Sequence, residues 1–200
     1  STFEICTTTR RKFMKILILG DSFCVTKNDN DHHWVNMLKQ HFTIENCASP
    51  GIGEYKIFKQ YIGQEYDIAL VHHTSPYRIH TRYNPLHTGV RRNSDFMLND
   101  VEHHYKNKVR HAEVIYKYIS NYVDFDYEKD VWQLYVEKLI ALDNSLHFTF
   151  FADIPIKLVT NNLHDIFNKH GTPNTYSHLD EKGHDLTYQL VKSLIDKYGK

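Results

Sequence analysis

Lys15-Ile16-Leu17-Ile18-Leu19-Gly20-Asp21-Ser22 is the stretch on which the fold turns. Four consecutive aliphatic side chains leave no polar face, so the run reads as a strand buried on both sides, as in the middle of a parallel sheet. Gly20-Asp21-Ser22 then stops the run with turn-forming residues and leaves a hydroxyl at the strand's carboxyl end. Asp67-Ile68-Ala69-Leu70-Val71 repeats the pattern. Between the two, Trp34, Val35, Leu38 and Phe42 fall at helical spacing, residues 43–48 read as extended, and residues 54–62 read as helical. The order is therefore β-α-β-α-β.

Further along, Ala112, Ile115 or Tyr116, Ile119 and Val123 mark one helix, and Val131, Leu134 or Tyr135, Leu139 and Leu142 mark a second. Residues 147–151 form a β-rich run. Leu186, Leu190, Leu194 and Tyr198 share one face of a terminal helix, with Asp180 as its N-cap. Strands alternating with helices through right-handed crossovers predict an α/β fold, a three-layer α/β/α sandwich around a central parallel sheet. Ligands in such sheets bind beyond the carboxyl ends of the strands.

Two hundred residues suffice for one core. A single domain is expected over residues 14–200, with residues 1–13 as an N-terminal extension and Met14 as a candidate native start. Residues 73–107 lose all period around Pro76, Pro85 and Gly89 and are expected to form an irregular insertion that is mobile or shapes the substrate site. Basic and acidic side chains balance at 24 each, so no net field draws the chain to nucleic acid or an anionic surface. Cys6, Cys24 and Cys47 are an odd number without close spacing, which fits a reducing, cytoplasmic setting. No apolar run is long enough to span a bilayer, and the first thirteen residues lack the core of a signal peptide.

The residues able to carry chemistry gather at the two strand ends. Ser22 sits on the turn leaving the first strand, where a hydroxyl projects at the sheet edge. The block Lys15 to Ser22 resembles the first block of the GDSL/SGNH hydrolase superfamily, and Ser49-Pro50-Gly51-Ile52-Gly53 resembles its second. Ser177-His178-Leu179-Asp180-Glu181-Lys182-Gly183-His184 is similar to its last block. The likeness covers residues 15 to about 74 and 175 to 197. It implies the flavodoxin-like fold of that superfamily and a serine esterase or acyl hydrolase with Ser22 as nucleophile, His178 as base, and the Ser22 and Gly51 amides as oxyanion donors. The substrate would be an ester-bearing small molecule, carbohydrate or lipid, with no cofactor.

Two positions depart from the pattern. Where the family has an oxyanion-donating Asn after the third strand, this chain has Thr74, whose hydroxyl is the expected substitute. Where the family keeps an acid three residues before the histidine, this chain has Thr175, so the third member of a triad would come from elsewhere, with Asp153 and Asp180 as candidates. His184 is the rival base, because Glu181 precedes it by three residues. Asp21, His73 and Arg78 are expected to line the substrate pocket. Fifteen histidines, with the pairs His72-His73 and His103-His104, raise the question of a metal. Adjacent residues on an extended chain face opposite ways, and no His-Glu-x-x-His spacing occurs, so none is expected. A binding module that keeps the scaffold without turnover, or an anion or nucleic-acid binder using Arg78, Arg82, Arg91 and Arg92, are the alternative readings.

Overall fold

A computed structural model describes residues 14–26, 32–151, 162–172 and 178–198. Strands β1 (Lys15–Leu19), β2 (Thr43–Asn46), β3 (Ile68–His72) and β4 (Ser145–Phe148) form one sheet in the order β2-β1-β3-β4, and every pair is parallel. Helices α1 (Trp34–Leu38) and α2 (Glu54–Tyr61) make the first two crossovers. Helices α3 (Leu98–Lys106), α4 (Ala112–Tyr122) and α5 (Phe125–Ile140) lie between β3 and β4, and α6 (Asn162–His170) and α7 (Glu181–Tyr198) follow β4. The chain is an α/β protein with helices on both faces of a parallel sheet.

The alternation of β1 explains the layers. Ile16 and Ile18 point to one face, where Leu70, Phe148 and Trp34 meet Val191 and Ile195 of α7. Leu17 and Leu19 point to the other, against Ala69, Val71, Ile57 of α2 and Leu139 of α5. All four of these β1 side chains are fully buried, and each stabilises the fold by roughly 1.5–3 kcal/mol. Asp180 caps α7, its Oδ1 accepting from the Gly183 N–H at 2.7 Å.

Residues 73–107 differ from the irregular loop expected of them. Ile79 and Phe96 form an antiparallel bridge, Gly89–Asn93 makes a 3-10 turn, and α3 packs on α4. Ile79, Leu86 and Val101 join Ala112 and Ile119 in a satellite core. The segment carries one buried aliphatic in nine helical residues of α3, which is why the sequence shows no helical period there. Helix α6 was also not foreseen. Residues 1–13 lie outside the described residues.

Three of the buried histidines, His33, His147 and His184, have strongly lowered pKa values. His33 caps α1, its Nδ1 accepting from the Val35 N–H, and its ring lies 4.5 Å from that of His184. His147 sits on β4. Burial, with the neighbouring His184 and Lys39 charges, pushes His33 down to about 3. Burial and then His73 push His147 down to about 3, and burial takes His184 to about 4 despite Asp180 and Asp185. The unfolded chain binds these protons with a pKa near 6.5 and the native chain only near 3 to 4, so this contribution to stability is complete above pH 6.5 and is lost as pH falls toward about 4 for His184 and about 3 for His33 and His147. The loss is at most roughly 1.4 kcal/mol per pH unit for each ring. Urea unfolding at pH 7.5, 6.0 and 5.0 should give a midpoint that drops at each step, and a midpoint that stays constant would show that these rings titrate normally.

Candidate active site

Strand order reverses direction between β1 and β3, and the carboxyl ends of those two strands are where a doubly wound sheet opens a crevice. Ser22 leaves β1 at this point. The turn behind it is closed by the Cys24 N–H donating to the Asp21 carbonyl at 3.1 Å. Gly20 is held from α2, with its N–H donating to Gln60 Oε1 at 3.0 Å. A side chain at Gly20 would meet Cys24 Sγ and His72 Cβ at 2.9 Å, so only glycine fits between strand and turn.

His178 Nε2 lies 2.9 Å from Ser22 Oγ. Two devices fix the ring. Its face stacks on Phe23 with centroids 4.4 Å apart. Its backbone adopts φ +58, in the left-handed region, and is held by the Thr172 N–H donating to its carbonyl at 2.9 Å and by the Gly171–Leu179 bridge. Burial holds its pKa below the ordinary imidazole value; the buried Asp21 carboxylate pulls the other way, and Arg78, His72 and Arg91 add to the lowering. At neutral pH the ring is therefore free to take a proton. His184, the rival, packs against His33 instead.

Gly51 has φ +73, and a Cβ there would lie 2.8 Å from Ser94 Cβ. Its carbonyl accepts from the Asp95 N–H at 2.9 Å and from Arg78 Nη1 at 3.0 Å. That leaves its N–H, like that of Ser22, without a partner among the described residues. Asp95 anchors the same loop through the Gly53 N–H at 2.6 Å, and pairs with Lys56 at 2.7 Å.

Three expected roles need correction. Thr74 is fully buried; its hydroxyl donates to Asp21 Oδ2 at 2.7 Å and its N–H donates to Glu54 Oε2 at 3.1 Å, so neither proton is left for an oxyanion. Asp21 is equally buried and touches no cleft; it accepts from Thr74, from the Phe23 N–H at 3.1 Å and from Arg78 Nη2 at 3.4 Å. His73 is enclosed behind β3, with Nδ1 2.6 Å from Glu54 Oε1 and Nε2 2.9 Å from His147 Nδ1. Arg78 does border the cleft, but its guanidinium is committed to Thr74, Gly51 and Asp21. Of the proposed third acids, Asp180 is spent on its helix cap and on His170, while Asp153 and Thr175 lie outside the described residues.

Ser22, Gly51 and His178 open onto a cleft of about 1110 Å³ that is also lined by Leu86, His87, Arg91 and Asp100 of the 73–107 segment. No family model, curated protein or solved structure matches the chain.

Burial alone would raise the pKa of Asp21, but His72, Arg78 and the Thr74 hydroxyl hold it well below the usual carboxylate range. Asp21→Asn would turn an N–H₂ donor toward groups that already donate. It should cost roughly 2–4 kcal/mol in urea unfolding at pH 7.5. A loss below about 0.5 kcal/mol, the level of an ordinary surface change, would mean that the charge is not what joins these strand ends.

Proposed function

We propose that the chain is a serine hydrolase that cleaves an ester, with Ser22 as nucleophile and His178 as general base and acid. The observation that carries this reading is the 2.9 Å contact between His178 Nε2 and Ser22 Oγ at the strand-order reversal. A serine is a weak nucleophile unless a positioned base takes its proton. Here Ser22 Oγ would attack the carbonyl carbon as its proton passes to His178 Nε2, and the carbonyl oxygen would become an oxyanion facing the Ser22 and Gly51 amides. Collapse of the tetrahedral species would expel the alcohol, protonated by His178. Water, deprotonated by the same ring, would then release the acid and restore Ser22.

The resemblance to GDSL/SGNH hydrolases supports the same roles for Ser22, Gly51 and His178. The cleft exceeds what a short acyl group fills, which favours an ester whose acid or alcohol part is a sizeable small molecule, carbohydrate or lipid. Free thiols at Cys24 and Cys47 fit a reducing, cytoplasmic setting. Among the described residues no acid contacts His178 Nδ1; Asp21 acts on the ring only through its field. This favours, as a second reading, a module that binds an ester or glycan without turnover.

A fluorophosphonate probe separates the two. It should label Ser22, as mapped by mass spectrometry, and Ser22→Ala should lose the label with its melting temperature shifted by no more than about 4 °C, the effect of roughly 1 kcal/mol. Equal labelling of the variant, or none of the wild type, would leave the binding reading. On any ester that is turned over, His178→Ala should lower kcat by about a thousandfold or more, and His184→Ala should act mainly on stability. The rise of kcat/KM with pH should have its midpoint below 6.5, the ordinary value for His178. Arg91→Ala, which removes one positive charge acting on that ring, should move the midpoint upward. A downward movement would contradict the electrostatics described above.

A further inference from the structure

Beside the cleft, three side chains converge that the hydrolytic chemistry does not use, two of them, His87 and Asp100, lining the cleft itself. His87 Nε2 lies 2.9 Å from Asp100 Oδ2, and His104 Nε2 lies 3.7 Å from Asp100 Oδ1. All three donor atoms fall within 4.8 Å of one another. Donors bound at about 2 Å to one tetrahedral ion stand roughly 3.3 Å apart, so these atoms need only small rotations to close on a metal. Two imidazoles and one carboxylate are the donor set of transition-metal sites with open positions.

The fold explains why they meet. Asp100 and His104 are one turn apart on α3 and so share a face. His87 arrives from the turn in which Asn84 Oδ1 accepts from the Leu86 N–H at 3.1 Å, with Asn84 and Leu86 both buried. The His103-His104 pair in the sequence directs attention to neighbours on an extended chain, whereas the segment is helical and the partner of His104 is four residues earlier. All three side chains are partly exposed, so an ion can enter. His87 and Asp100 also line the cleft that holds Ser22 and His178.

We infer that His87, Asp100 and His104 form a binding site for a divalent transition metal of the zinc class, with coordination positions left open to the cleft. Metal would replace the proton that His87 shares with Asp100. A carboxylate or phosphate oxygen of a molecule in the cleft could then complete the ion's coordination. The site stands independently of whether Ser22 is a nucleophile.

The test uses the full chain after treatment with a chelator. Calorimetric titration with Zn²⁺ should show one tight equivalent above the weak background of exposed histidines. His87→Gln, Asp100→Asn and His104→Gln should each weaken it by about tenfold or more, equivalent to roughly 1.4 kcal/mol, while His103→Gln leaves it unchanged. Co²⁺ in place of Zn²⁺ should give visible absorption bands of a low-coordinate site, lost in the same three variants. Inorganic phosphate should shift those bands in the wild type. Absence of a tight equivalent, or one that survives all three substitutions, would overturn the site and leave the cluster as a hydrogen-bonded tether between turn and helix. Bands indifferent to phosphate would overturn the open positions. Fluorophosphonate labelling of Ser22, measured on the same metal-free sample, reports the hydrolase reading separately.

Discussion

A fully buried carboxylate is tolerable only where other groups replace the water it has lost, and Asp21 imposes that condition on the whole upper edge of the sheet. It follows β1 directly, yet its partners come from elsewhere. Thr74 follows β3, and Arg78 begins the segment that crosses the cleft. Arg78 in turn reaches the Gly51 carbonyl. Satisfying one charge therefore draws together the two strand ends and the glycine loop, with Ser22 and Gly51 both lining the same cleft. The positions on either side of Ser22 are fixed by packing and polar contacts that do not involve its hydroxyl, which lies against His178.

The same charge also acts on His178, whose ring touches no acid among the described residues. His178 is pushed toward neutrality by burial and by nearby cations, and Asp21 opposes this without touching the ring. Orientation, which a directly bonded acid often supplies, comes here from stacking on Phe23 and from a backbone held in the left-handed region. A ring positioned by packing keeps its geometry in either protonation state. Its electrostatic support is weaker than a direct hydrogen bond would give.

Much of the frame was legible in the sequence, for identifiable reasons. β1 and β3 each carry four consecutive aliphatic residues, a run short enough for a strand and without the polar positions of an amphipathic helix. The terminal helix declares itself through leucines at regular spacing and an aspartate cap. Helix α3 does not, because Val101 is its one buried side chain, Leu98 and Tyr105 are exposed, and the remaining positions are polar. Ser22 and His178 could be singled out because each lies in a block with family-like spacing, and the structure brings them within hydrogen-bond distance. The roles of Asp21, Thr74 and His73 were misjudged for a common reason. Whether a polar side chain at a strand end faces a cleft or another polar side chain depends on pairings between residues 20 to 74 positions apart, and local pattern carries no trace of those.

The buried row behind β3 has a meaning beyond the site. Ser145 Oγ donates to the Leu142 carbonyl at 2.7 Å, so its oxygen accepts from His147 Nε2. His147, neutral through burial, then accepts at Nδ1 from His73, whose other nitrogen shares a proton with Glu54 of α2. This row crosses the sheet where β3 and β4 pair with Val71 opposite His147. A slip of β4 by one residue would swing His147 into the aromatic face and bring Leu146 or Phe148 against Glu54 and His73, stranding a polar pair in hydrocarbon. Aliphatic strands can slide past one another at little cost, since one methyl group replaces another. The imidazole row instead acts as a ratchet pin that admits a single alignment of these two strands and rejects its neighbours during folding.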